Sequence, residues 1–396
     1  MQKPVYLDHH ATTPLDARVL EAMLPYFGAK FGNAASKTHS YGWEAEKAVD
    51  RARQQVAELA GAEAREIVFT SGATESINLA IKGAAAGGGH VVTVSTEHKA
   101  VLDTVKRLPR VTVVPVGTDG LVDPAAVRDA IEADTVLVCV MYANNEIGVI
   151  QAVREIGELC RERGIWFHCD AAQAFGKIPM DAQRDDIHLM SLSAHKLYGP
   201  KGVGALYVRR KDPRVRLDAQ IDGGGHEFGM RSGTLNVPGI VGFGEACAIA
   251  AREMAEESAR LLRLRERLRA EIEASVEGAR INGSLEHRLA GNLNVTFPGV
   301  DADALLMNMP DLALSTGSAC SSATVEPSHV LRAIGLSTRD ARSSVRFGLG
   351  RFTTEEEIDF AVDLIKRKVA KLRELSPLWE MHKEGIDLST VQWAAH

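Results

Sequence analysis

The run Ser193-Ala194-His195-Lys196-Leu197-Tyr198-Gly199-Pro200-Lys201-Gly202 decides how this chain is read. It follows the apolar segment Ile187–Leu192, so it falls where a buried strand gives way to a glycine-rich turn. A lysine stands there directly behind a serine and a histidine. Lysines are common on surface turns, but one flanked by a hydroxyl and an imidazole can present an amine beside an anion site. Upstream, Trp166-Phe167-His168-Cys169-Asp170 reads as a second short buried strand, ending in a carboxylate and followed by Ala171-Ala172-Gln173. Two neighbouring strands would deliver Asp170 and Lys196 to one cleft.

An amine and a carboxylate so placed meet the needs of pyridoxal phosphate. The lysine holds the cofactor aldehyde, and an aspartate at a strand's C-terminal end keeps the ring nitrogen protonated, so that the ring can accept electrons. An aspartate ending a strand is by default only a turn residue; paired with Lys196 it gains a chemical role. A third segment, Thr70-Ser71-Gly72-Ala73-Thr74-Glu75-Ser76, follows the strand-like Ile67-Val68-Phe69 and opens a helix through Asn78, Leu79 and Ile81. Small residues at that first turn let free N–H groups approach a phosphate, which the helix dipole favours. Alone it reads as an ordinary N-terminal cap.

Short β-rich runs alternate with helical stretches: Ile67–Thr70, His90–Ser95, Val111–Val116, Thr135–Tyr142, Trp166–Asp170, Ile187–Ser191 and Val203–Arg209, with Val153–Arg163 at helical spacing. The alternation predicts an α/β domain with a mostly parallel sheet and ligands at the carboxyl ends of its strands. Ser71, His98, Asn145, Asp170 and Ser193 all fall there. From about Gly239 a long charged amphipathic helix leads through Leu261-Leu262-Arg263-Leu264-Arg265 to a mixed region holding Asn292-Leu293-Asn294-Val295-Thr296-Phe297, expected as a smaller C-terminal α+β domain.

Composition sets limits. A chain of 396 residues, 45% hydrophobic and 25% charged, exceeds the usual single-domain size. Its net charge of −6 leaves no basic footprint for nucleic acid. Because the N-terminus lacks a basic-then-apolar pattern and no apolar run approaches membrane-spanning length, neither a secretory signal nor a membrane span is expected. Five cysteines without C-x-x-C spacing argue against disulfides or structural zinc, so the reducing cytoplasm is the expected setting. Cys139, Cys160 and Cys247 lie in apolar contexts, and Cys169 should point away from Asp170 by strand alternation. Cys320 differs: it sits in Leu314-Ser315-Thr316-Gly317-Ser318-Ala319-Cys320-Ser321-Ser322-Ala323-Thr324, a small polar run expected as a mobile loop with a reactive thiol. His9, His10 and the pair His226/Glu227 lack metal-ligand spacing.

Together these motifs resemble the cysteine desulfurases over nearly the whole chain. Tyr6-Leu7-Asp8-His9-His10-Ala11-Thr12-Thr13-Pro14, Phe31-Gly32-Asn33, Thr96-Glu97-His98-Lys99, Asn144-Asn145-Glu146-Ile147-Gly148, Gly223-Gly224-Gly225-His226-Glu227, Arg231-Ser232-Gly233-Thr234 and Ser318-Ala319-Cys320 carry the resemblance. The ending Ser376-Pro377-Leu378-Trp379-Glu380-Met381 through Val391-Gln392-Trp393 is similar to the extension of the housekeeping iron–sulfur assembly subgroup. His9-His10, Ala35, Ala171, Ala194 and Thr316 depart from the usual pattern without removing a chemical group.

The resemblance implies a pyridoxal-phosphate fold type I, aminotransferase-like architecture. Residues 1–15 would pack on the small domain, 16–255 form the large cofactor-binding domain, and 256–396 form the small domain with a cysteine loop at about 314–326 and a partner-docking tail. It implies Lys196, Cys320 and His98 as catalytic residues, His98 stacking on the pyridine ring. Ala73, Thr74, Ser193 and His195 would hold the phosphate, joined by Thr234 from the other subunit of a homodimer. Asp170 would meet the ring nitrogen and Gln173 the phenolic oxygen. Arg346 and Asn145 would hold the carboxylate of L-cysteine, for which a planar bidentate cation is suited. Cys320 would take the substrate sulfur as a persulfide, leave L-alanine, and pass the sulfur to an iron–sulfur scaffold or to other acceptors such as tRNA thiolation proteins. It could also ligate a transient [2Fe–2S] cluster shared with the scaffold. Two other classes stay open at this point: another pyridoxal-phosphate enzyme of the same fold, and a non-catalytic scaffold built on it.

Overall fold

The computed structural model describes residues 3–316, 327–375 and 379–380. Strand β1 (Val5–Tyr6) opens the chain. A seven-stranded sheet follows, built from β2 (Ile67–Thr70), β3 (His90–Val94), β4 (Val111–Val114), β5 (Thr135–Cys139), β6 (Trp166–Asp170), β7 (Leu189–Ser193) and β8 (Gly204–Val208). Their spatial order is β2-β8-β7-β6-β5-β3-β4. Pairing is parallel from β7 through β6, β5 and β3 to β4, and β8 runs antiparallel to both its neighbours. Crossover helices such as Ala73–Ala84 and Val153–Arg163 cover the faces, so the central strands are buried on both sides, and β3 and β5 read as runs rich in β-branched residues.

Past β8 the chain enters the helix Val237–Ser275, 39 residues in length. It then forms β9 (Arg280–Ile281), β10 (Asn292–Thr296), β11 (Leu312–Ala313) and β12 (Ser344–Gly348). Strands β12, β10 and β9 make a second, antiparallel sheet, and β1 returns to pair in parallel with β11. Val5 and Leu7 accordingly join the hydrophobic cluster around this second sheet. The long helix belongs to both cores. Val237, Ile240, Phe243, Cys247 and Ala250 pack on the large sheet, whereas Leu261, Leu264, Leu268 and Ile272 pack with Leu293, Val295 and Phe347.

The expected strands are all present, Ile67–Thr70 and Trp166–Asp170 with the bounds expected and the other five with ends moved. Ser95, Val116 and Tyr142 lie beyond the ladder, where the chain turns into cleft-lining loops. Strand β7 is shifted in the other direction and keeps its pairing through Ser193, which lies opposite Gly204. A Cβ on Gly204 would sit 2.4 Å from the Leu192 carbonyl oxygen and 2.7 Å from the Gly72 Cα, so only glycine lets the start of the Ala73–Ala84 helix approach this strand.

Glu227 has a structural partner. Its carboxylate accepts two 2.7 Å hydrogen bonds from the Arg53 guanidinium and one of 2.7 Å from the Phe69 amide, all buried. The pair ties the Gly223–Glu227 turn to β2 and to the helix Ser40–Ala60. Glu227→Ala would strand a buried guanidinium, at a cost of about 3–5 kcal/mol. The expected result is a clear fall in the urea unfolding midpoint; an unchanged midpoint would show that solvent reaches Arg53.

Candidate active site

A cleft of about 570 Å³ opens at the carboxyl ends of the large sheet. Its walls include Ala73, Thr74, His98, Asn145, Asp170, Gln173, Ser193, His195, Lys196 and Arg346. One end is suited to an anion. The helix Ala73–Ala84 begins there, its Gly72 cap has no side-chain hydrogen bond, and φ at Gly72 is +154°. Its first-turn N–H groups are therefore open to a ligand. Beside it, the Ser193 hydroxyl is buried with no protein partner. His195 shares a 3.1 Å hydrogen bond with the Thr12 hydroxyl; burial and the nearby Lys196 charge hold its ring neutral, with a pKa of about 4.

At the other end of the cleft, β6 and β7 bring Asp170 next to the turn that carries Lys196. Asp170 is buried and accepts a 3.0 Å bond from the Ala172 amide. Burial raises its pKa, and the neighbouring His98 and Lys196 oppose that rise. A carboxylate in this state is poised to pair with a protonated ring nitrogen. The Lys196 amine donates to the carbonyls of His10 and, at 2.7 Å, of Ala11, so the N-terminal segment holds it over the cleft. His98 caps the helix Lys99–Val105: its Nδ1 accepts from the Ala100 amide at 3.0 Å, which assigns the ring proton to Nε2.

Arg346 reaches the cleft from β12 and is 2% exposed. It donates to the Asn145 carbonyl at 3.0 Å and to the Asp8 carboxylate at 2.7 Å, while its Nε has no protein partner. Gln173 donates to the His10 carbonyl at 2.9 Å and accepts from Lys177 at 3.1 Å. Thr234 is exposed and absent from the cleft wall. Cys320 and the tail from Met381 to His396 lie outside the described residues. The other four thiols are buried, and burial pushes each pKa upward, that of Cys160 to about 12. Such thiols are poor nucleophiles. Among the described residues no cluster of three metal-ligating side chains occurs, and no helix is long and apolar enough to cross a membrane.

Asp8, His10, Glu146 and Lys177 had drawn no site role from the sequence. The first three sit inside quoted motifs, and Lys177 follows Gln173 by one helical turn, which is the signal that was available for it.

Known proteins share this sequence and fold. The model of the class-V aminotransferases matches residues 5–360. The cysteine desulfurase IscS of Anaeromyxobacter sp. (strain Fw109-5) is 60% identical over 402 residues, spanning 100% of this chain and 99% of that protein. The cysteine desulfurase IscS of Neisseria gonorrhoeae is 57% identical over 404 residues, covering 100% of both. A solved NifS-like protein superposes with a TM-score of 0.87 at 37% identity, covering 93% of this chain and 100% of the other. SspA, solved in complex with cysteine, gives 0.78 at 37% identity, covering 89% and 100%. The chain belongs to the class-V aminotransferase family and, within it, to the cysteine desulfurases of the IscS type.

Behind Asn145 the buried Glu146 takes a hydrogen bond from the Ser328 hydroxyl, and burial pushes its pKa up to about 7. The folded protein thus keeps this proton after the unfolded chain has lost its own. The resulting stabilisation is complete below the ordinary glutamate pKa and is lost as pH rises toward 7, by roughly 3 kcal/mol. Glu146→Gln should remove that part of the slope. Urea midpoints of both proteins at about pH 5 and pH 8 test it: the gap must shift in favour of the variant at the higher pH.

Proposed function

We propose that this chain is a pyridoxal-phosphate-dependent cysteine desulfurase that takes sulfur from L-cysteine, releases L-alanine and holds the sulfur as a persulfide on Cys320. The supporting observation is that Lys196 and Asp170 share a cleft with an anion cradle. The cofactor fits this set: a helix N-terminus and the unpartnered Ser193 hydroxyl suit its phosphate, Asp170 its ring nitrogen, and Lys196 its aldehyde. Bound there, it supplies an electron sink for the substrate's Cα.

The residues then divide the work. Ala73 and Thr74 offer backbone N–H groups, with Ser193 and His195 beside them, and Thr234 of a second copy completes the phosphate site in a homodimer. Arg346, with Asn145, takes the substrate carboxylate, and the Asp8 carboxylate fixes the guanidinium plane. The Lys196 amine moves the proton at Cα. His98 would face the cofactor with its Nε2–H as a hydrogen-bond donor, and Gln173 would offer its amide to the phenolic oxygen. The Cys320 thiolate attacks the substrate sulfur: an S–S bond forms, the C–S bond breaks, and its electron pair with a proton completes the methyl group of alanine. No external oxidant is consumed.

The persulfide is passed on to an iron–sulfur scaffold, with which Cys320 briefly shares a [2Fe–2S] cluster, and to other sulfur acceptors. The segment from Ser376 to His396 docks that scaffold. At the root of this tail Trp379 stacks on Arg373 at 3.6 Å and packs beside Gly299. A cytoplasmic setting suits the four free thiols among the described residues.

Borohydride reduction followed by peptide mapping should fix the cofactor on Lys196 in the wild type and nowhere in Lys196→Ala, which should fold and lack the yellow colour that the lysine-bound cofactor gives the wild type. A label on another lysine would overturn the assignment. Cys320→Ser should still bind L-cysteine but form alanine slower by on the order of a thousandfold in the presence of a reductant. Alanine production at the wild-type rate would make Cys320 a bystander.

A further inference from the structure

Lys177 carries a buried amine for which the desulfurase reaction has no use, yet it reaches the back of the cleft. The amine donates to the Gln173 Oε1 at 3.1 Å. The same oxygen meets the His10 Nδ1 at 2.9 Å. Since the oxygen can only accept, His10 must carry its proton on Nδ1. The Gln173 nitrogen then donates to the His10 carbonyl at 2.9 Å, and that nitrogen has one more hydrogen to give. Gln173 lines the cleft. Two donors on one amide oxygen leave only one orientation of the amide with every bond satisfied.

We propose that Lys177, acting with His10, is a positioning residue that locks the Gln173 amide with its N–H edge toward the cofactor's phenolic oxygen. The inference rests on the reading of Gln173 as the neighbour of that oxygen. Without Lys177 the amide loses one of the two donors that fix its orientation. A flipped amide would turn its carbonyl oxygen on an anionic phenolic oxygen, lone pair against lone pair. The lysine lies beside a small cavity lined also by His9, His10 and Glu257. The charges that face it are Lys196 and Arg346, which oppose its protonation, and Glu257, which favours it; burial, the largest influence, acts with the two cations against Glu257 and brings its pKa down to about 7. His9 and His10 are held neutral by burial and add no charge. Lys177 is therefore a donor with little charge to spare, suited to holding an amide.

The test is a pH titration of the absorbance of purified holoenzyme, which follows the proton shared between the lysine-bound nitrogen and the phenolic oxygen. Lys177→Met and Gln173→Leu should each move the midpoint upward by at least tenfold in proton affinity, and the double variant should move it no further than Gln173→Leu alone. Lys177→Arg, which keeps a donor, should restore the wild-type midpoint. Affinity of the apo-protein for pyridoxal phosphate, read by fluorescence, should fall in parallel in the Met variant. If Gln173→Leu leaves the midpoint unchanged, the reading of Gln173 fails. If Gln173→Leu shifts it and Lys177→Met does not, the positioning role fails. Additive shifts would mean that Lys177 acts as a separate charge, which also overturns the proposal. Circular dichroism and thermal midpoints of each variant separate these outcomes from a loss of fold, in which case Lys177→Gln, which keeps a donor at the end of a shorter stem, must restore the midpoint.

Discussion

The parallel pairing of β6 with β7 is the constraint on which the site depends. Asp170 lies opposite Ser191 in that ladder, and five residues further along the second strand and its turn comes Lys196. Hydrogen bonds between backbones, not side-chain attraction, therefore bring a buried carboxylate and an amine to one cleft. This matters because two such groups left to find each other would close into an ion pair. Here the amine is drawn instead to the carbonyls of His10 and Ala11, and the carboxylate to the Ala172 amide. Each is stabilised by backbone dipoles and lines the cleft.

The second lobe adds the cation. Arg346 is among the largest fully buried side chains, and burial of a guanidinium requires partners for most of its donors. Asp8 supplies one, and it can do so because β1 pairs with β11 and Asp8 bridges to Gly348 beside Arg346. The first dozen residues thus serve both lobes: Val5 and Leu7 fill the small core, Asp8 holds Arg346, and His10 to Thr12 edge the cofactor cleft. A segment with so little regular structure is ordered by what it touches.

Much of this was legible in the chain itself. Runs such as Val91-Val92-Thr93-Val94 and Leu137-Val138-Cys139 are β-rich over the length of a strand, and polar residues follow them, Ser95-Thr96 directly after the first and Asn144-Asn145 a few positions after the second, where a cleft is needed. Lys196, Asp170 and the Ser71–Thr74 turn could be found because each chemistry sits at a strand end. Asp8, His10 and Lys177 could not, since their meaning depends on partners distant in sequence: Asp8 on Arg346, His10 and Lys177 on a glutamine whose amide must face one way. Glu227 was hidden for the same reason, because nothing local announces Arg53. The shift of β7 came from Gly204, whose missing side chain lets Ser193 stay in the ladder.

The helix Val237–Ser275 has a mechanical meaning beyond its packing. At about 1.5 Å per residue it is a rod of nearly 60 Å with one half embedded in each core. A rod clamped at both ends resists rotation of one core against the other, since any turn must bend it. The width of the cleft between them is thereby set by a strut, and the distance from Arg346 to Lys196 is held to the tolerance of a helix instead of a hinge.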